Sequence, residues 1–303
     1  MSKMKQSQRH VFPTLAIALA LIGLLVSMAG AVTDEAKEMY NSGIKAKQAG
    51  NLDEAILAYK GALAMDKTYV DPCINLGAIY FEQKEYDKAL EMFKEATQRD
   101  KTNTEAFANL GRVEYQLKQY TEAETSFSTA LELDSSTPDY YKELGKVYDK
   151  QRKYTEVISK LEKFHELTGG DHTSWYLLGK SYKKTDKITD AIAAYKKSIE
   201  LKSDYPYPHS ALGGIYLGQE KYTNAAGQFK TVLKINPKDY RAAYNYAIAI
   251  QSKNPEEYDT NISNWENFLK IAKKNPRTKK QMIATANETI KNLKEAKEQS
   301  DLQ

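Results

Sequence analysis

Residues 104–137, TEAFANLGRVEYQLKQYTEAETSFSTALELDSST, decide how this chain is read. In this stretch Leu110 precedes Gly111, Ala123 follows the glycine by twelve residues, and Phe127 comes four later. Moving 34 residues onward gives Leu144, Gly145, Val157 and Leu161 in the same order. Extended both ways, one slot holds Gly43, Gly77, Gly111, Gly145, Gly179 and Gly213, with Ala247 next in line. A second slot holds Ala55, Ala89, Ala123, Val157, Ala191 and Ala225. A third holds Tyr59, Phe93, Phe127, Leu161, Tyr195 and Phe229. Six registers kept in one phase without an insertion mark a repeat architecture.

Within a unit the apolar residues fall at three- and four-residue steps, as in Leu144, Val147 and Tyr148, which is helical spacing. A break such as Lys84-Glu85 or Lys118-Gln119 precedes a second helix, for example over 86–98. No strand alternation competes. Each unit is therefore predicted to be a helix pair joined by a tight turn. The glycine and alanine slots belong where helix axes approach to about 8–10 Å, and a large side chain there would overpack the crossing. The aromatic slot is read as filling the gap to the following unit. One pair cannot bury its apolar faces alone, so stacked neighbours complete a shared core.

This small-and-aromatic pattern resembles the tetratricopeptide repeat (TPR) family. The resemblance implies an all-α fold, a superhelical solenoid of antiparallel helix pairs with a C-terminal capping helix. Six repeats are expected at 36–69, 70–103, 104–137, 138–171, 172–205 and 206–239. An irregular seventh unit is expected at 240–275, because Lys253-Asn254-Pro255-Glu256 lengthens its turn by about two residues. A capping helix is expected at 276–298, with Ile283, Ala286, Ile290 and Leu293 inward and Lys279, Lys280, Lys291, Lys294 and Lys297 outward. The fourth unit departs from the pattern, with Phe164 and with Gly169-Gly170 at the junction, and Pro237 alone occupies the family's proline slot. Glu114 stands where other units carry Tyr80, Tyr148, Tyr182 and Tyr216, and is read as a hydrogen-bonded carboxylate at a repeat boundary.

Residues 1–31 have a different character. Lys3, Lys5, Arg9 and His10 precede the apolar run Leu15 to Val26, and small residues Ala29 and Ala31 follow. That order matches a secretory signal cleaved after Ala31. The alternative is an uncleaved anchor over residues 11–32, which reaches spanning length only by counting Pro13, Thr14, Ser27 and Gly30. Either reading places the rest of the chain outside the cytoplasm, in a periplasmic or cell-envelope setting. The formal net charge of the whole 303-residue chain is +4. Most of it lies in the leader, so the body is nearly neutral and nucleic acid is not an expected partner. The single cysteine, Cys73, excludes an intramolecular disulfide framework.

The search for chemistry leaves catalytic, metal and cofactor roles empty. His165 and His172 are seven residues apart, a spacing that does not present two ligands to one zinc ion. Cys73 and His209 share a slot with Phe107, Tyr141 and Trp175, which makes both packing residues. No phosphate loop, nucleophile elbow or paired-carboxylate signature is present. The expectation is a protein that is not an enzyme.

Function is expected on the face of the first helices that the packing slots leave over. In the resembling family this face is concave and holds a peptide or partner segment. Here the early units present Tyr40, Ile44, Ile74 and Phe81. The later ones present Arg112, Lys142, Lys146, Lys150, Lys180, Lys183 and Lys184 against Glu105, Asp139 and Asp149, with Tyr115, Tyr176, Tyr207 and Tyr244 interleaved. Cations at such spacing lie near one Debye length apart and their fields add. The expected partner is an acidic or amphipathic protein segment, with membrane contact only through an uncleaved leader. Two other functions are compatible with these residues: a membrane-anchored envelope assembly factor, and a glycan or small-ligand binder using the tyrosines.

Overall fold

The computed structural model of the protein describes residues 32–302. The leader reading of residues 1–31 lies outside them. Among the described residues there are fifteen α-helices and no strand. They are α1 (Asp34–Gln48), α2 (Leu52–Met65), α3 (Asp71–Glu82), α4 (Tyr86–Arg99), α5 (Thr104–Gln116), α6 (Tyr120–Leu133), α7 (Pro138–Gln151) and α8 (Tyr154–Thr168). They continue with α9 (His172–Lys184), α10 (Ile188–Leu201), α11 (Pro206–Gly218), α12 (Tyr222–Ile235), α13 (Tyr240–Lys253), α14 (Tyr258–Ala272) and α15 (Lys280–Asp301). No helix among the described residues is long and apolar enough to cross a membrane. The chain divides into two compact units between Tyr140 and Tyr141, in the first turn of α7.

In the first unit, α1 packs on α2, α3 on α4 and α5 on α6. The glycine slot explains the pairing. A Cβ built on Gly43 would stand 2.6 Å from the Tyr59 ring, one on Gly77 2.8 Å from Phe93, and one on Gly111 2.9 Å from Phe127. The third-slot aromatic therefore closes over the glycine of its own unit and not over the gap to the following unit, because only a helix without a side chain lets a ring lie flat against its backbone. Ala55, Ala89 and Ala123 are fully buried at the same crossings. Cys73 is buried as well, and burial pushes its thiol up to about 11, away from nucleophilic use. Glu114 is buried and accepts a 2.6 Å hydrogen bond from the Ser126 hydroxyl, while desolvation raises its pKa.

Junctions between pairs lack proline here. Asp66, Asp100 and Asp134, 34 residues apart, each accept from the backbone N–H and hydroxyl of the residue two further on. These Asx-type turns fix the chain reversal that proline provides elsewhere. Inside the pairs, Gly50, Lys84 and Lys118 hold the left-handed conformation at the same turn position. The two lysines adopt it at a cost of about 1–2 kcal/mol each.

In the second unit, the same contact places Gly145 against Leu161, Gly179 against Tyr195 and Gly213 against Phe229, at 2.7–2.8 Å from a built Cβ. Ala191 and Ala225 are fully buried, as is Val157. The α8–α9 junction is built differently. Gly169 and Gly170 both take left-handed backbone, with φ of 80° and 76°. The His165 ring stacks on Trp175 with centroids 3.9 Å apart, and the indole donates to the Gly169 carbonyl at 2.9 Å. A Cβ on Gly170 would come within 2.7 Å of both rings, so glycine is required there for space as well as for φ. Asp171 caps α9 by accepting from the Ser174 N–H at 2.8 Å.

In the seventh pair Ala247 is fully buried, and Asn261 and Trp265 take the alanine and aromatic slots two residues later than elsewhere. The Asn261 amide donates to the Asn254 carbonyl at 2.8 Å and so closes the lengthened turn. α15 lays Ala286, Ile290 and Leu293 on the preceding helices and holds Lys297 to Asp259 at 2.6 Å.

Candidate functional site

The first helices of successive pairs touch through side chains that the packing slots leave over. In the first unit, Asn75 of α3 donates to the Tyr40 hydroxyl of α1 at 3.0 Å. Tyr40 lies against Tyr59 and Tyr69, and its pKa is raised by burial first and by nearby Asp71 second. Arg112 donates to Asn109 at 2.7 Å, and Tyr115 meets Tyr120 edge-on. Arg112 and Tyr115 thus belong to the first unit, and the remaining candidates to the second.

Three of the candidate lysines are committed to carboxylates. Lys142 pairs with Asp171 at 2.7 Å, Lys146 with Glu143 at 2.7 Å, and Lys180 with Asp149 at 2.7 Å. Burial would raise the Asp171 carboxyl, but hydrogen bonds from Lys142, Thr173 and the Ser174 backbone outweigh it and hold the group well below the ordinary carboxylate range. The Lys180–Asp149 pair spans α9 and α7, and the Asp149 side chain is only 11% exposed. These pairs neutralise much of the positive field that the sequence suggests. Lys150, Lys183 and Lys184 are exposed and form no ion pair among the described residues.

Tyr176 and Tyr207 come together, and Tyr205 joins them. Ring centroids lie 5.8 Å apart for Tyr176 and Tyr207, 5.8 Å for Tyr176 and Tyr205, and 5.1 Å for Tyr205 and Tyr207. His172 meets Tyr205 edge-on at 4.9 Å, and Tyr195 backs Tyr176 at 5.9 Å. The raised pKa of Tyr176 reflects burial first, then Tyr205 and Asp149. Tyr207 remains 56% exposed although its neighbours fix it. The sequence reading missed Tyr205, which sits in the junction before α11. The signal was Tyr205-Pro206-Tyr207-Pro208, where proline stiffens the backbone that carries both rings. Tyr244 is not part of this cluster. It packs edge-on against Trp265 at 5.3 Å and Phe268 at 5.1 Å and serves the core of the seventh pair.

His165 and His209 have structural surroundings. His165 Nε2 lies 2.9 Å from the Ser174 hydroxyl, and burial pushes the ring down to about 4. His209 is buried between Gln228 at 2.7 Å and the Ser203 carbonyl at 3.1 Å. No group of three His, Cys, Asp or Glu among the described residues could hold a metal ion.

Family models bear on these features directly. Two described as tetratricopeptide repeat match residues 46–92 with 80–146, and 210–257, and one described as TPR repeat matches 179–220. Together they reach across more than half of the chain. Among solved structures, MamA is similar at 27% identity over 53% of this chain and 94% of its own, with a TM-score of 0.51. YrrB, described as a TPR protein with an unusual peptide-binding site, is similar at 21% identity over 66% and 100%, with a TM-score of 0.56. The C-terminal part of a TPR repeat-containing protein from Cytophaga hutchinsonii shares the fold at 18% identity over 81% and 98%, with a TM-score of 0.65. No curated relative matches by sequence. Glycine-on-ring crossings in register and matching repeat models make this chain a member of the tetratricopeptide repeat family.

Proposed function

We propose that this chain is a non-enzymatic scaffold that works outside the cytoplasm. It holds an amphipathic, acid-bearing protein segment on the first-helix wall of its second unit. The observation that carries the reading is Tyr207, exposed yet locked by Tyr176 and Tyr205. Such a ring offers flat apolar contact at little entropic cost, as binding hot spots do. Lys183 and Lys184, on α9 and unpaired, supply a positive flank for acidic residues on the same segment. Export rests on the cationic start, apolar run and small residues of positions 1–31. It requires a native N-terminus that begins after Ala31, whereas a retained Leu15 to Val26 would make the chain membrane-anchored.

The test is selection from a phage-displayed random peptide library. Enriched peptides are expected to combine Asp or Glu with aromatic or aliphatic residues. Tyr207→Ala should weaken a selected peptide about 30-fold. Lys183→Glu with Lys184→Glu should remove the salt-sensitive part of its affinity. These two lysines are the right ones to reverse. A glutamate at 180 or 146 would instead face the largely buried Asp149 or Glu143 and disturb the fold. An unselective library, or equal binding by Tyr207→Ala, would end this reading.

A further inference from the structure

The turn between α14 and α15 carries a second surface of different chemistry. Residues 270–280, KIAKKNPRTKK, hold Lys270, Lys273, Lys274, Arg277, Lys279 and Lys280 and no acid. All six are exposed, and none forms an ion pair among the described residues. The turn that presents them is built. The Asn275 side chain accepts from the Arg277 N–H at 3.0 Å, and the Thr278 hydroxyl donates to the Ala272 carbonyl at 3.1 Å. The Tyr240 hydroxyl donates to the Arg277 carbonyl at 3.2 Å and accepts from Arg241 at 3.1 Å, which adds a seventh cation from α13.

Beside this turn a cleft of about 560 Å³ is lined by Leu233, Pro237 and Ile271, with Lys238, Lys270 and Lys274 around it and the Asn267 and Asn275 amides between them. The acids of α14 and of the cap before α13 are engaged, Asp259 by Lys297. Asp239 caps α13 through the Arg241 and Ala242 N–H groups, and Glu266 faces Lys294 at 3.9 Å. Lysines in the last turns of α12 and α14 offset the negative ends of those helices, but Lys273, Lys274, Arg277, Lys279 and Lys280 exceed what two helix ends require.

We infer that this face binds the surface of a bilayer containing anionic phospholipid. The cations and the apolar cleft fit one chemistry. Lysine ammonium groups reach phosphates while their stems and the Leu233–Ile271 floor cover the first carbons below the headgroup. Single-stranded nucleic acid fits less well, because it calls for aromatic faces to stack bases, and Tyr240, the ring at this turn, is buried. The sequence reading confined membrane contact to residues 11–32; this surface lies at the other end of the chain and acts whether or not the leader is removed.

The experiment is co-sedimentation of the full chain with vesicles of phosphatidylcholine alone or mixed with phosphatidylglycerol. The mixed vesicles should bind more tightly, and the difference should fade in high salt. Each cation near an anionic surface contributes about fivefold, so Lys270→Gln, Lys273→Gln and Lys274→Gln combined should lower that binding about 100-fold with helicity unchanged. Undiminished phosphatidylglycerol binding in the triple variant would overturn the inference. So would equal binding to both vesicles, or tighter binding to an acidic peptide or an RNA oligonucleotide than to the mixed vesicles.

Discussion

Leucine in place of Gly111 is expected to cost about 3 kcal/mol and to fold only if Phe127 gives way. A single Cβ there already meets three atoms of the Phe127 ring at 2.9–3.0 Å, and leucine adds three more carbons. Neither helix can retreat easily, because Ala123 is fully buried at the same crossing. Urea unfolding should show the midpoint move down with little change of slope. Phe127→Ala in the same chain should recover at least half of the loss, since the two changes act on one contact and are not additive. Gly145, which faces the smaller Leu161, shows that the slot tolerates a slighter partner. A Gly111→Leu protein that unfolds at the parental midpoint would remove the close approach on which the fold reading rests.

The second large effect is acid lability in the second unit. His165 is stacked on Trp175, flanked by Phe164 and hydrogen-bonded to Ser174, and its folded pKa is depressed to about 4 from an ordinary value near 6.5. The charged groups facing it are Asp171, which pulls the value up, and Lys142, which holds Asp171. Because the unfolded chain takes the proton first, this stability is fully present above about pH 6.5 and is lost as pH falls toward 4. The loss is about 2–3 kcal/mol over that window, at about 1.4 kcal/mol per pH unit and less where solvent reaches the ring. Below it Asp171 adds its own loss, since its depressed carboxyl must also be protonated. Glu114, in the first unit, works in the opposite sense, because its raised pKa makes folding take up a proton. Urea midpoints of the parent and of His165→Gln between pH 7 and 4 check this. The variant should start less stable and show a flatter dependence, and an unchanged slope would remove His165 from the account.

The candidate site was legible in part. Tyr176, Tyr207, Lys183 and Lys184 could be found by stepping 34 residues along the first helices. Lys142, Lys146 and Lys180 were found the same way, yet the partners of Lys142 and Lys180 depend on how neighbouring helices are rotated, whereas Glu143 stands three residues before Lys146 on the same helix. Asp171 is 29 residues from Lys142 and Asp149 is 31 from Lys180, off the repeat period. Charge counted along one helix cannot see such pairs. Tyr205 was missed because it lies in a junction, where helical periodicity assigns no face.

The repeated glycine, alanine and ring, taken alone, determined the all-α stack of helix pairs, because a steric requirement met at every crossing must recur in the chain at the same interval. The buried Asn261 in an alanine slot, the His165–Trp175 stack over Gly170, the pairing of Lys142 and Lys180 and the unpaired cations at the α14–α15 turn were decided only by the tertiary structure. Each depends on which side chains from separate helices meet. That is fixed by how the helices are rotated and by the length of the turns between them, and neither is written in the period.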